Sequence, residues 1–297
     1  MRLEENPLRV AFLCLGVMGG PMAGHLARAG HRVSVYNRSP AALEAWLAEY
    51  GDTDSRGADS PAQAVAGAEF VMVCTGRDAD LREIALGENG AFEAMTKGSV
   101  FIDHTTASAE LARQLAAEAE RRGLGWLDAP ISGGQVGAEK GQLTIMAGGE
   151  EEIYRRATKV LDVYAKKHLL VGPAGSGQLS KMVNQICIAG LVQALAEGLH
   201  FAKRSGLDAQ KVVEVIAHGA AQSWQMDNRA STMLDGEFDF GFAVDWMRKD
   251  LGIALAEAER CGANLALTAE VDRRYAEVQA RGGARWDTSS LIALLES

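Results

Sequence analysis

The 297-residue chain has only four cysteines, and they are scattered. Cys14, Cys74, Cys187 and Cys261 lack the paired spacing of a metal-binding or redox motif, so they read as free thiols in a reducing compartment. The six histidines form no ligand cluster either, and no metal is expected. Basic residues are outnumbered, 30 Lys and Arg against 39 Asp and Glu, for a formal net charge of -9. That balance leaves no cationic stripe for phosphate backbones and excludes nucleic acid as an expected partner. No cationic-then-apolar leader opens the chain, and polar residues interrupt the apolar run after Lys181 before membrane-spanning length. A cytoplasmic protein with no membrane partner is the resulting expectation. Repeats and low-complexity tracts are absent as well.

What is present suits a folded chain large enough for two cores, at 47% hydrophobic and 23% charged residues. From Leu8 to about Gly172, short apolar or β-branched runs alternate with Ala, Glu and Arg-rich segments of helical period. The pattern predicts strands at Arg9–Leu15, Arg32–Tyr36, Phe70–Cys74, Val100–Asp103, Gly125–Asp128, Leu143–Ala147 and Leu169–Val171. Such alternation implies an α/β, doubly wound, largely parallel sheet. From Gln178 onward the pattern is helical, with loops marked by Ser205-Gly206, Asp235-Gly236, Cys261-Gly262 and Gly282-Gly283. A domain at 1–172 is therefore expected, followed by an all-helical one at 173–297, with the boundary in the glycine-rich stretch that starts at Gly172.

Lys181, Asn184 and Gln185 stand three and four positions apart in an otherwise apolar stretch, Leu179 to Leu195. A helix apolar around most of its circumference is normally buried, and an ammonium group there needs partners or a task. Lys181 is either a snorkelling side chain or a catalytic group, and this stretch alone leaves both readings open.

Cys14-Leu15-Gly16-Val17-Met18-Gly19 follows the first strand and leads into a helical run with Pro21 in its first turn. In a dinucleotide-binding turn one glycine makes the tight bend, a second admits the pyrophosphate and a third lets helix and strand pack. Gly16 and Gly19 supply the second and third, while Cys14 stands at the first. A glycine turn of this kind also arises from packing alone. Roughly twenty residues on, where NAD-binding domains place an acid for the ribose, the chain reads Asn37-Arg38-Ser39. An amide, a guanidinium and a hydroxyl suit an adenosine 2′-phosphate, so NADP(H) is preferred over NAD(H) as the expected cofactor. The competing reading of Arg38 is a solvated surface arginine.

The chain resembles the 3-hydroxyisobutyrate dehydrogenase, or β-hydroxyacid dehydrogenase, family, which includes tartronate semialdehyde and glyoxylate/succinic semialdehyde reductases. The carriers are Leu15-Gly16-Val17-Met18-Gly19-Gly20-Pro21; Asp103-His104-Thr105-Thr106; Asp128-Ala129-Pro130-Ile131-Ser132-Gly133-Gly134; Gly175-Ser176-Gly177 with Lys181 and Asn184; Lys249-Asp250; and Asp287-Thr288-Ser289. The resemblance implies a Rossmann-type first domain, with Lys181 catalytic and Asn184 and Gln185 holding the substrate. It places the substrate carboxylate at Ser132, Gly133 and Gly134. It puts the cofactor against Leu15 to Gly19, Asn37, Arg38, Ser39, Thr75 and Thr106, with Lys249 reaching it from the helical domain. Cys14, Thr75-Gly76 and His104 depart from the usual pattern. Asp128 and His104 read as structural, and Asp287 as a helix cap.

The implied chemistry agrees with the residue types. Reducing a carbonyl needs a hydride and a proton for the developing alkoxide, and a lysine can supply and take back that proton when burial draws its pKa toward neutrality. Successive amides at Ser132-Gly133-Gly134 can cradle an anion. The expectation is a reductase or dehydrogenase acting on a small carboxylate-bearing β-hydroxyacid or semialdehyde, assembled as a homodimer or homotetramer. Its rivals are an NAD-dependent 3-hydroxyisobutyrate dehydrogenase and a non-catalytic, cofactor-binding sensor.

Overall fold

A computed structural model describes residues 7–296, which fall into two compact units divided after Lys181. Unit 1 is built on nine strands: β1 (Arg9–Leu13), β2 (Arg32–Tyr36), β3 (Ser55–Gly57), β4 (Phe70–Val73), β5 (Val100–Asp103), β6 (Gly125–Asp128), β7 (Ile131–Ser132), β8 (Leu143–Gly149) and β9 (Ala165–Gly172). Helices α1 (Gly19–Arg28), α2 (Pro40–Tyr50), α3 (Pro61–Val65), α4 (Asp78–Leu86), α5 (Ala91–Ala94), α6 (Ala109–Arg121), α7 (Gly134–Glu139) and α8 (Glu151–Leu161) fill the connections.

The sheet order is β3-β2-β1-β4-β5-β6-β8-β7, with β9 pairing β8. The strands from β3 to β6 are mutually parallel, whereas β8 runs antiparallel to β6 and β7. Strands β4, β5 and β6 are buried along their whole length, because helices cover both faces, and their side chains divide between two apolar cores. β3 and β7 were not legible as strands. β3 is three residues with no large apolar side chain, and β7 is two residues running into a glycine pair.

Unit 2 contains most of α9 (Ser176–Arg204), then α10 (Ala209–Ile216), α11 (Trp224–Asp235), α12 (Val244–Cys261) and α13 (Ala266–Ala280), closing in short 3-10 turns. Its core gathers Ala189, Val192, Ala196 and Leu199 of α9 with Met233, Met247, Leu251, Val271 and Tyr275. The polar residues after Lys181, expected to interrupt the apolar run before membrane-spanning length, instead sit inside an unbroken helix of 29 residues. Among the described residues this helix is long and apolar enough to cross a membrane, by length and composition. Unit 1 extends to Lys181, beyond the boundary expected at 172, because the first turn of α9 is bound to the end of β6.

β5 and β6 end on aspartates that face each other in register, Asp103 and Asp128. Asp103 is fully buried, accepts the Thr105 amide on Oδ1 at 2.9 Å and leaves Oδ2 without a partner. Burial pushes its carboxyl up to about 8, with Thr105 pulling the other way. The folded protein therefore holds a proton that the unfolded chain releases near pH 4. This contribution to stability is complete below that pH and is lost as pH rises through about 8. Replacing Asp103 with Asn should flatten the pH dependence of urea unfolding between pH 6 and pH 9 by about 2 kcal/mol. An unaltered slope would show that Asp103 carries its charge inside the fold.

Candidate active site

Parallel β1, β2, β4, β5 and β6 bring their carboxyl ends to one edge of unit 1, the edge at which open α/β sheets bind ligands. The loop after β1 turns at Cys14, whose φ of 75° is the left-handed conformation that favours glycine. A β-carbon there costs of order 1 kcal/mol, offset in part by the Cys14 amide, which donates to the Tyr36 carbonyl at 2.8 Å. Burial, reinforced by Asp80, pushes the Cys14 thiol up to about 12. Gly19 is the closely packed glycine, since a β-carbon on it would lie 2.0 Å from the Cys14 carbonyl oxygen. Gly16 is exposed, and a β-carbon on it would meet nothing. Met18 precedes α1 without a side-chain cap; the Gly20 amide is taken by the Gly16 carbonyl at 2.9 Å, and the positive end of the helix dipole favours an anion at this turn. The turn therefore fits a dinucleotide pyrophosphate.

At the end of β2, the Asn37 side chain accepts the Leu15 amide at 2.9 Å and donates to the Ser39 carbonyl at 3.2 Å. Asn37 thus braces the glycine turn rather than offering its whole amide to a ligand. Arg38 and Ser39 are exposed, and the Ser39 hydroxyl makes no cap bond to α2. The Arg38 guanidinium lies 3.6 Å from Asp80 of α4. An acid thus stands beside Arg38, but it comes from α4 and not from the end of β2, and sequence spacing gives no sign of it.

At the neighbouring strand ends, Thr105 Oγ1 accepts the Thr75 amide at 3.0 Å and lies 3.1 Å from the Thr75 hydroxyl. Thr106 follows, half-buried. His104 is structural, as read from the sequence. Its Nδ1 is 2.7 Å from the Ala129 carbonyl and its Nε2 is 3.0 Å from the Tyr164 hydroxyl, and burial lowers it to about 4. Beyond β6, Ser132 ends β7 and is followed by Gly133 and Gly134, with φ of 130° and 60°. Only glycine takes these two conformations in succession without strain, and they leave the loop's backbone exposed at the start of α7.

Asp128 then ties this edge to α9. Its Oδ1 accepts the Gly175 amide at 2.7 Å and its Oδ2 the Gln178 amide at 2.9 Å. Burial drives the carboxyl up to about 6, and the amides of Gly175, Gln178 and Gly177 hold it from rising further. The Gln178 side chain, fully buried, donates to the Thr105 carbonyl at 2.7 Å and accepts the Ala107 amide at 3.0 Å. Lys181 lies one turn further along α9, 7% exposed. Sequence reading overlooked Gln178; its signal was a polar residue three positions before Lys181 at the start of an apolar helix.

In unit 2, Gln185 differs from its expected role. It is 2% exposed, its Nε2 donates to Asp250 at 2.7 Å and its oxygen accepts from Asn184 at 2.7 Å. With both ends of its amide committed, Gln185 is a brace behind Asn184 rather than a substrate ligand. The Lys249 ammonium sits 3.1 Å from the other Asp250 oxygen and 5.7 Å from the Trp246 ring centre. Asp287 accepts the Ser289 and Phe242 amides and pairs with Arg229, as a cap should. Among the described residues, no three His, Cys, Asp or Glu side chains gather as metal ligands.

A glycine-turn nucleotide cradle, a Gly-Gly anion loop and a buried lysine, followed by an all-helical unit, define the class of NAD(P)-dependent β-hydroxyacid dehydrogenases. Residues 9–172 match the family model of the NAD-binding domain of 6-phosphogluconate dehydrogenase. Residues 175–295 match that of the NAD-binding domain of NADP-dependent 3-hydroxyisobutyrate dehydrogenase. The chain belongs to the 3-hydroxyisobutyrate dehydrogenase family. It is 57% identical to an uncharacterized oxidoreductase of Shewanella frigidimarina, over 97% of this chain and 98% of the relative. It is 33% identical to the 2-hydroxy-3-oxopropionate reductase of Escherichia coli, over 97% of each chain. The solved structure of Mycobacterium tuberculosis 3-hydroxyisobutyrate dehydrogenase with L-serine superposes with a TM-score of 0.89 at 32% identity, covering 98% of this chain and 100% of that one.

The two glycines of the turn should respond differently to a methyl group. Gly19→Ala should unfold the turn, lowering the thermal midpoint together with nucleotide affinity, since the new carbon has no room. Gly16→Ala should leave the midpoint unchanged and weaken NADPH binding about tenfold or more, because only the bound nucleotide would feel it. Fluorescence titration and calorimetry on both variants check this, and a Gly16→Ala protein that binds normally would place the pyrophosphate elsewhere.

Proposed function

We propose that the protein reduces a small semialdehyde or aldehyde acid to its hydroxyacid with NADPH, and that Lys181 exchanges the proton. The observation that carries the reading is Lys181 itself, 7% exposed on the helix that Asp128 and Gln178 fasten to the strand ends. When bound, the nicotinamide cofactor supplies or accepts the hydride. Lys181 polarises the substrate carbonyl and protonates the alkoxide that forms, and in the oxidising direction it takes the proton back. The amides at Ser132, Gly133 and Gly134 receive the carboxylate, and Asn184, oriented by Gln185, hydrogen-bonds the substrate. Thr106 lies against the nicotinamide, and Thr75 supports its loop.

The substrate class follows from the anion loop and from the relatives: the E. coli protein is named for 2-hydroxy-3-oxopropionate, and the mycobacterial one was solved with L-serine, another three-carbon carboxylate. Steady-state assays of glyoxylate and of succinic, malonic, methylmalonic and tartronic semialdehydes with both cofactors test it. Arg38 and Ser39, exposed at the end of β2, support NADPH as the cofactor. A second reading, preference for NADH, is favoured by Asp80 beside Arg38. Arg38→Leu decides between them: we expect NADPH affinity to fall about tenfold to a hundredfold while NADH affinity holds. Equal changes for both cofactors would remove the 2′-phosphate from Arg38.

A cytoplasmic homodimer or homotetramer completes the reading. Val183, Leu191 and Phe201 are 60%, 43% and 69% exposed, and helical spacing puts them on one face of α9 that a second copy can cover. Sedimentation of the full chain tests the assembly.

Lys181→Met should preserve the fold and the NADPH dissociation constant, because a near-isosteric apolar chain suits a buried position. Turnover should fall by about 10²–10⁴-fold, the usual effect of losing a positioned acid–base group. A folded variant that keeps a tenth or more of the wild-type rate would take Lys181 out of the mechanism and revive the sensor reading.

A further inference from the structure

The Thr105–Ala107 segment is gripped at its polar groups by neighbouring strands and by α9. The Thr105 amide donates to Asp103 Oδ1 at 2.9 Å, and the Thr105 hydroxyl accepts from the Thr75 amide at 3.0 Å. The two groups that flank Thr106, the Thr105 carbonyl and the Ala107 amide, both go to the Gln178 side chain, at 2.7 and 3.0 Å. A single carboxamide therefore straddles the residue that the proposed function sets against the nicotinamide. The backbone of Gln178 is held in turn, its amide donating to Asp128 Oδ2 at 2.9 Å. Lys181 lies at i+3 on the same helix, on the same face as Gln178.

We propose that Gln178 is a positioning residue for hydride transfer: it locks the Thr105–Ala107 backbone to the first turn of the helix that carries Lys181. The inference rests on the reading of Lys181 as the proton donor. A carboxamide suits this task because its donor and acceptor are rigidly opposed. It reaches a carbonyl and an amide two residues apart in one plane, which a hydroxyl or an apolar side chain cannot do. Buried and bonded at both ends, it cannot slide by a fraction of an ångström without breaking a bond in a place that water does not reach. Proton donor and nicotinamide loop must keep a near-attack geometry, and a displacement of about 1 Å can cost on the order of a hundredfold in rate. A side chain that merely filled the core would change stability and leave that geometry alone.

Two variants of the full-length protein separate these roles. Gln178→Met keeps the volume and deletes both bonds, while Gln178→Asn keeps an amide one methylene too short to reach both partners. In each we would measure thermal stability, NADPH affinity by fluorescence titration, KM and kcat with tartronic semialdehyde or the fastest of the screened substrates, and the primary isotope effect with 4-deuterated NADPH. Positioning predicts kcat lower by about tenfold to a hundredfold, a raised isotope effect as hydride transfer becomes limiting, and NADPH affinity and KM within about threefold of wild type. The Asn variant should lose less than the Met variant. Wild-type kcat and isotope effect in either folded variant would overturn the inference, as would a loss confined to stability. Failure of both variants to fold would overturn it too, since the grip would then be purely architectural. Lys181→Met, assayed beside them, keeps the two ideas apart. If that variant is inactive while the Gln178 variants are not, only the positioning role fails; if it stays active, the proton-donor reading itself has failed.

Discussion

A buried carboxylate that cannot do without a helix N-terminus organises this chain. Asp128 ends a strand enclosed on both faces, where burial alone would keep it neutral. The amides of Gly175, Gln178 and Gly177 give it charge-assisted partners, and the positive end of the α9 dipole adds to them. Each side needs the other, because the first-turn amides of a long helix would otherwise be orphaned in the same dry surroundings. The direct consequence is positional. The start of α9 is fixed to the carboxyl edge of the sheet, so a lysine one turn along it stands at a set distance from the strand ends that hold the nucleotide cradle.

The glycine turn shows how one departure is accommodated by its neighbours. Cys14 takes a left-handed backbone despite its β-carbon, held there by its bond to the Tyr36 carbonyl. Gly19 cannot vary in the same way, since its missing β-carbon is the space that the Cys14 carbonyl uses. The crowding atom is backbone, so the third position is constrained whatever side chain stands at the first. The Arg38–Asp80 pair has the opposite character. Both groups are solvated, and an exposed ion pair of this kind contributes about 0–1 kcal/mol.

The sequence made the sheet legible where burial on both faces left continuous apolar runs, as in β4, β5 and β6. It failed where an element drew its place from pairing alone, as in β3 and β7. Gly16, Gly19, Gly133, Gly134 and Lys181 could be named because their chemistry needs a particular residue type at a particular spacing. Gln185 could not be placed correctly, because its amide reads the same whether it faces a ligand or Asp250, and only the fold brings α12 beside it. Asp80 and Gln178 were missed for the same reason: their partners lie 42 and 73 positions away in the chain, and no local pattern announces such a contact.

The composition of α9 carries the last lesson. Its hydropathy passes the test for a membrane span, yet only 39% of the apolar window is buried within this chain. One side supplies the core of unit 2, and Val183, Leu191 and Phe201 line another side in the open. An apolar helix of a folded protein needs cover on both sides, since a contiguous exposed stripe of this kind favours association. Its first turns carry Gln178, Lys181, Asn184 and Gln185, three of them buried, ahead of a mostly apolar middle. That distribution separates two tasks along one helix. The first turns are pinned by Asp128, and the mostly apolar middle packs inward within unit 2 and outward against the second copy proposed to cover it.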